Sequence, residues 1–173
     1  MDTYMVLLRL IHIVTGIFWV GSDLLMVFFV EPTVIALGPS GGAFMQRLTK
    51  NTRYAQAMPI SALLTVVTGI LLFSRVSGDF NRDWLMSTGG VVLGMGSLAG
   101  ILAFLDGMVL VGPTINRIEQ LGGEMDEQQG PPSEDQLGEM QQLRGRLNRA
   151  YQLMIFLTMA SIVGMSSARY IWS

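Results

Sequence analysis

The stretch of residues 4–30 constrains this chain most, because it is apolar and long enough to cross a bilayer and yet carries three polar groups. These groups are Arg9, Asp23 and His12, and His12 is the only histidine in the sequence. A polar group in hydrocarbon costs several kcal/mol unless another group pairs with it. We therefore expect further apolar helices of the same chain to enclose these side chains.

The composition supports an integral membrane protein. Half of the 173 residues are hydrophobic and only 14% are charged, which is unusual for a soluble domain. The net charge of −2 argues against a nucleic-acid partner. The absence of cysteine excludes disulfides and thiolate metal sites. No motif of a hydrolase or nucleotide-binding enzyme is present, so the sequence leaves open whether the protein is an enzyme.

The pattern of apolar segments predicts an all-α, four-helix membrane bundle that forms a single domain over residues 1–173, with no internal repeat. Pro59 is expected in the first turn of the second helix. Pro32 and Pro113 are expected to end the first and third helices, because the residue before a proline avoids helical geometry. The predicted spans are about residues 4–30, 59–75, 85–112 and 150–171.

Two further helical features lie outside the predicted spans. Between residues 44 and 55, apolar side chains recur at helical spacing among three cations, Arg47, Lys50 and Arg53. This pattern is typical of an interfacial helix in contact with lipid headgroups, and a solvated helix packed on the bundle is the alternative.

Ser133 followed by Gln136 predicts a capping box. The helix that begins there is expected to form a long cytoplasmic extension of helix 4, whose far end Tyr170 and Trp172 mark as an interface. The lysines and arginines are concentrated in the first and third connections. The positive-inside rule therefore places both connections in the cytoplasm and both termini outside.

A stripe of residues on the first helix predicts a haem site. His12, Gly16, Trp19 and Asp23 follow one another at spacings that share a helix face, and Arg9 precedes His12 by one turn. A neutral imidazole inside a bundle suits the axial position of haem b. Arg9 would pair with a haem propionate, Gly16 would leave room for the porphyrin, and Trp19 would form a wall.

The second axial ligand is open, because one chain has only one histidine. Met95 on the third helix, or Met159 or Met165 on the fourth, is expected at a similar depth. Otherwise the iron is five-coordinate, or two chains of a homo-oligomer supply one histidine each. The alternative without a cofactor is a His12 that hydrogen-bonds a neighbouring helix while Arg9 extends to the interface.

Two other functions follow from other residues. Asp23 and Asp106 are candidates for an ion or proton pathway, although either can instead pair with Arg47, Arg53 or Arg117 or reach water. The small-residue pairs of the third helix, Gly90 with Gly94 and Gly96 with Gly100, allow helices to touch. Such stripes bind helices of the same chain or of partners, and partner binding would make the protein an accessory subunit of a larger membrane complex.

The pattern of His12, Gly16, Trp19 and Gly21 at the start of a four-helix membrane chain resembles a broad superfamily. It includes copper-resistance-D-type membrane domains, the four-helix bacterial protoporphyrinogen oxidases and uncharacterised four-helix integral membrane proteins. The connection after the first helix and the segment before the fourth are most similar to the last set. The resemblance implies a bacterial-type inner membrane and a His12 that binds haem b, for electron transfer or porphyrin redox chemistry.

Overall fold

The computed structural model describes residues 3–128 and 130–171, and Trp172, predicted to mark an interface, lies outside them. Within these residues the protein is helical and contains no strand. Four of the helices are long and apolar enough to cross a membrane, which confirms the prediction of an all-α chain with four such segments. The helices are α1 (Thr3–Ala36), α2 (Pro39–Lys50), α3 (Tyr54–Val76), α4 (Arg82–Leu85), α5 (Thr88–Glu127) and α6 (Glu134–Tyr170), of which α1, α3, α5 and α6 are the long ones.

The boundaries predicted from the prolines are wrong. Helix α1 continues past Pro32, and α5 continues past Pro113 to Glu127. Pro59 lies inside α3, which begins five residues earlier at Tyr54. Helix α2 occupies the segment where an interfacial helix was expected, and its contact with a membrane surface stays a prediction.

The helices pass through Pro32 and Pro113 because a π-helical turn precedes each proline. These turns are Met26–Val30 and Gly107–Val111. The N–H of Glu31 bonds the carbonyl of Met26, and the N–H of Gly112 bonds that of Gly107, so each bond spans five residues instead of four. A proline within an α-helix lacks a donor and its ring collides with the carbonyl four residues earlier. The wider turn rearranges the carbonyls at this point, and the helix resumes beyond the ring.

The two π turns end in the same short sequence motif. Val30, Pro32 and Thr33 recur in α5, with the same spacing, as Val111, Pro113 and Thr114. The hydroxyl of Thr33 donates to the carbonyl of Phe29 at 2.6 Å, and the hydroxyl of Thr114 donates to that of Leu110 at 2.6 Å. Helices α1 and α5 therefore share the same local structure, a π turn followed by a proline and a threonine that bonds the preceding turn.

The long helices pack as two pairs, α1 with α3 and α5 with α6. The backbones of α5 and α6 touch at Gly96 and Gly164, where a Cβ added to Gly164 would lie 2.8 Å from the Cα of Gly96. One turn on, a Cβ on Gly100 would lie 2.9 Å from the hydroxyl oxygen of Ser161. The small-residue stripe of the third predicted span is therefore used within the chain.

The two pairs meet near the middle of α1. The indole of Trp19 stands edge-on to the ring of Phe104, with 6.3 Å between the ring centroids. Trp19 also packs with Ala62 and Ala103, which joins α1, α3 and α5. Further along α1, Val27 packs against a cluster on α6 that contains Tyr151. The pairs are therefore closed on one side of Trp19, and on the other side they leave a space between them.

The polar ends of α5 and α6 form a helical hairpin. Helix α6 begins with the predicted capping box, in which the Ser133 hydroxyl accepts from the Gln136 N–H and the Gln136 side chain accepts from the Ser133 N–H. Arg117 donates to both carboxylate oxygens of Glu139 at 2.7 and 2.9 Å, and to Glu124 at 3.2 Å. The Arg117 hydrogen bonds lower the pKa of Glu139 below its ordinary value. The extension is thus fixed to α5, while its location in the cytoplasm stays a prediction.

Candidate functional site: a cleft lined by His12

The space between the two helix pairs is a cleft of about 970 Å³. All four long helices contribute to its walls, which are largely apolar. Trp19 and Ala103 close it at the end where the pairs meet. The residues that matter for its chemistry are His12, Gly16, Trp19, Gly69, Gly100 and Met165.

The His12 side chain is held by α3. Its Nδ1 lies 2.8 Å from the carbonyl oxygen of Thr65 and 3.4 Å from the hydroxyl of Thr68. Because a carbonyl can only accept, Nδ1 carries the proton and donates to Thr65. No described residue hydrogen-bonds the other ring nitrogen, Nε2, which carries the lone pair in the neutral form of an imidazole protonated at Nδ1. This is the arrangement in which a histidine can bind a metal through Nε2 while its other nitrogen is anchored.

The glycine that makes room for the imidazole is Gly69 on α3, while Gly16, expected to leave room for a porphyrin, lines the cleft. A Cβ added to Gly69 would lie 2.9 Å from Cε1 of His12 and 3.3 Å from Nδ1. A Cβ on Gly16 would lie 3.5 Å from Cγ2 of Thr65, an ordinary contact. Thr65, Thr68 and Gly69 were missed in the sequence, where the only signal was a group of hydroxyls beside a glycine in an apolar span.

The three methionines predicted as possible second axial ligands differ in whether they line the cleft. Met95 is 68% exposed and does not line the cleft, so it does not share the cleft with His12. Met159 does not line it either. Met165 does line it, and its sulfur accepts a weak hydrogen bond from Ser161 at 3.8 Å. Met165 is therefore the methionine that shares the cleft with His12.

The predicted partners of His12 on α1 fall into two groups. Trp19 is 8% exposed and lines the cleft, as a wall should. Arg9 is exposed and lies outside the cleft lining, so the structure does not bring its guanidinium to the site. Among the described residues, no group of three or more histidines, cysteines and carboxylates could hold a metal ion.

The two aspartates differ in burial, and neither pairs with an arginine among the described residues. Asp106 is 6% exposed, and both of its carboxylate oxygens are buried without a hydrogen bond to any described residue. Asp23 is half-buried, and its Oδ2 atom is buried without such a partner. Arg117 bonds Glu139 and Glu124 instead. The alternative in which these aspartates pair with Arg47, Arg53 or Arg117 is therefore not seen among the described residues, and their use in an ion or proton pathway stays a prediction.

Fold and site together define a class of protein: over the described residues it is all-helical, with four helices able to cross a membrane and an anchored histidine in an apolar cleft between two helix pairs. No protein-family model, curated protein or solved structure matches the chain significantly. The resemblance to copper-resistance-D-type and protoporphyrinogen-oxidase-type membrane proteins therefore stays a prediction from sequence motifs.

Proposed function

We propose that this protein binds haem b in the cleft, with Nε2 of His12 as an axial ligand. The observation that carries the proposal is the hydrogen bond from Nδ1 of His12 to the Thr65 carbonyl, which leaves the lone pair of a neutral imidazole free beside a cleft of about 970 Å³. Metal-binding histidines usually donate their other N–H to a carbonyl or carboxylate in this way.

The residues of the cleft fit the group. An imidazole and a thioether are ordinary axial ligands of haem iron, and Met165 is the candidate for the second position. The apolar walls suit a porphyrin, and Trp19 closes one end against water. Bound haem would supply one-electron chemistry, so the class of function is electron transfer or porphyrin oxidation.

The chain's own residues would position the cofactor. The Thr65 carbonyl fixes a proton on Nδ1 of the ring, and Gly69 lets the imidazole lie close to α3. Thr65 is itself held, because its hydroxyl oxygen lies 2.8 Å from the Thr15 hydroxyl on α1 and 2.8 Å from the Ser61 carbonyl oxygen, and its one proton is donated to one of the two. A ligand whose ring is fixed in advance loses little freedom when the cofactor binds.

The test is a spectrum of the purified protein after it has been incubated with haem in detergent. We expect a Soret band and a reduced-minus-oxidised spectrum typical of a b-type haem, and we expect both to be lost in His12→Ala. Met95→Leu, which changes an exposed methionine outside the cleft, is the matched control and should keep the spectrum. A wild-type protein without a Soret band, or a His12→Ala variant with an unchanged spectrum, would refute the proposal.

The alternative of a non-catalytic accessory subunit has less support. This alternative was inferred from the small-residue stripe of α5, which could bind a helix of another protein. In the structure the stripe packs against α6 of the same chain, where Gly96 contacts Gly164. The stripe therefore does not supply the partner surface that this alternative needs. Native mass spectrometry of the protein extracted in mild detergent tests it directly, since an accessory subunit should carry partner chains with it.

We further propose that the protein resides in a bacterial-type inner membrane with both termini outside. The support is the concentration of lysine and arginine in the first and third connections. Reporter fusions to the C-terminus and to the connection between α5 and α6 test this orientation. An active cytoplasmic reporter at the C-terminus would contradict it.

A further inference from the structure

The end of the cleft opposite Trp19 is formed by aromatic rings. Thr65 and Phe73 line the cleft from α3, and Trp19 packs against Ala62, which precedes Thr65 on that helix. Phe73 is therefore about two turns beyond Thr65, in the direction away from Trp19. A Cβ added to Gly94 of α5 would lie 4.0 Å from Cζ of Phe73, so this ring reaches across from α3 to α5.

Phe80 reaches the same end of the cleft from a loop. It belongs to residues 77–81, which connect α3 to α4, and among the described residues that line the cleft it alone lies outside the long helices. The centroid of its ring lies 6.0 Å from that of Phe73, and the Phe73 ring in turn stands edge-on to Trp84 at 5.7 Å. The Phe80 side chain is 54% exposed, so the ring faces the cleft on one side and the outside on the other.

The backbone of this loop is strained at Phe80. Gly78, Asp79 and Phe80 have φ values of +63°, +56° and +65°, all in the left-handed region. Glycine enters this region freely and aspartate tolerates it, but a bulky side chain there collides with the backbone and is rare. A glycine at position 80 would form the same turn at a lower cost. The need for an aromatic ring at the end of the cleft explains why phenylalanine occupies this position.

Hydrogen bonds on both sides of the strained residues hold the loop in place. Ser77 is only 1% exposed, and its hydroxyl accepts from the N–H of Phe80 at 2.9 Å. The N–H of Asp79 donates to the Ser74 carbonyl at 2.8 Å, and the Ser74 hydroxyl donates to the Asp79 carboxylate at 3.0 Å. The N–H of Asn81 donates to the Ser77 carbonyl at 3.0 Å, and the Asn81 side chain caps α4. Strain of this kind persists only where the surrounding contacts impose it.

We propose that residues 77–81 form a lid, and that its Phe80 ring controls passage between the cleft and the water at this end. Non-helical backbone is not stable in contact with hydrocarbon, so in a membrane this loop lies at the surface. A planar apolar ligand that enters here has to turn the Phe80 ring aside before it reaches His12. A side chain on a short loop can do so while the long helices stay in place. With the ligand bound, the ring returns and excludes water from the cleft.

The absence of cysteine makes access to the cleft directly measurable. Ser97→Cys places a single thiol on the α5 wall of the cleft, and Gln142→Cys places one at an exposed position of α6 outside it. Each protein is inserted without haem in nanodiscs, which leave both membrane faces open, and its reaction rate with a charged, water-soluble methanethiosulfonate is measured. We expect Phe80→Gly to raise the rate at position 97 several-fold and to leave the rate at position 142 unchanged.

Phe80→Gly is the decisive variant because glycine adopts the φ of this position without strain, so the loop keeps its path. Phe80→Tyr, which keeps a ring, should leave position 97 as slow as in the chain with Phe80. Ser77→Ala keeps the ring but removes the hydroxyl that accepts from its N–H, so position 97 should again react faster. Ser167→Ala is the matched control, because that hydroxyl bonds carbonyls of its own helix and does not line the cleft.

The identity of the ligand as haem b rests on the proposed function, whereas the thiol measurement does not involve haem. With haem added, stopped-flow mixing should show several-fold faster binding to Phe80→Gly than to the wild type. Equal thiol rates at position 97 with and without the Phe80 ring would overturn the lid, whether or not haem binds. Equal rates of haem binding would overturn entry of haem at this end. A chain that binds no haem but whose thiol rate depends on the ring would refute the proposed function and support the lid.

Discussion

The imidazole of His12 lies so close to Gly69 that one added methyl group would come within 2.9 Å of its Cε1 atom. This contact joins α1 to α3 at the level of the cleft and keeps the ring close to the neighbouring backbone. The Thr65 carbonyl, one turn away on α3, fixes the tautomer. The two contacts make α3 the support of the candidate site, and they can be changed one at a time.

Gly69→Ala should displace the His12 ring. Overpacking a tight contact typically costs about 1–3 kcal/mol, and the ring can escape only by losing its bond to Thr65. We expect a lower unfolding midpoint in detergent and, with haem added, a weakened or shifted Soret band. Gly21→Ala is the control, because a Cβ at Gly21 would have no neighbour within 4 Å. Equal behaviour of the two variants would show that Gly69 does not confine the ring.

Gly164→Ala should separate α5 from α6. The new Cβ would lie 2.8 Å from the Cα of Gly96, and backbone cannot move aside as a flexible side chain can. We expect a loss of about 1–3 kcal/mol in SDS-induced unfolding. Gly122→Ala, where a Cβ would meet nothing within 4 Å, should be neutral or slightly stabilising. A Gly164→Ala variant as stable as Gly122→Ala would contradict the close backbone contact.

Asp106→Asn should stabilise the protein near neutral pH. Both carboxylate oxygens of Asp106 are buried without partners among the described residues, and a neutral amide is less costly to bury than an unpaired carboxylate. We expect the free energy of unfolding in SDS to rise by about 1 kcal/mol or more. Asp83→Asn, at an exposed position, should have little effect. A marked loss of stability in Asp106→Asn would mean instead that the carboxylate holds a bound donor or ion.

The hairpin formed by the polar ends of α5 and α6 should loosen in acid. Because the Arg117 hydrogen bonds lower the pKa of Glu139, the folded state binds this proton less readily than the unfolded state does. The resulting stability is fully present above the ordinary glutamate value of about 4.5 and disappears as the pH falls through the lower folded-state pKa. Hydrogen exchange over residues 112–127 should accelerate in that window.

Glu139→Gln should show the faster exchange already at neutral pH, since it removes the charge that Arg117 binds. Glu119→Gln serves as the control, because Glu119 is an exposed acid on α5, the helix of Arg117, and lies outside the ion pair. Exchange in Glu139→Gln that equals the wild-type rate at neutral pH would show that the ion pair does not hold the hairpin together.

The resemblance of the two π turns shows where sequence reasoning failed. Pro32 and Pro113 were expected to end helices, because a proline removes a donor and collides with the preceding turn. The widened turns of Met26–Val30 and Gly107–Val111 remove that conflict, so the helices continue. A rule about local geometry cannot foresee this, because the helix resumes only where packing favours it. The second half of α5, which packs along α6, is such a case.

The sequence by itself determined the features that depend on neighbours along the chain. Apolar length determined the four long helices, and the pair of Ser133 and Gln136 determined where α6 begins. The tertiary structure alone decided that His12 is anchored by Thr65, that Gly69 gives it room, and that both carboxylate oxygens of Asp106 are buried. Periodicity tells which side chains share a face, but the partner of a face depends on helix pairing and register, which are set by contacts between distant residues.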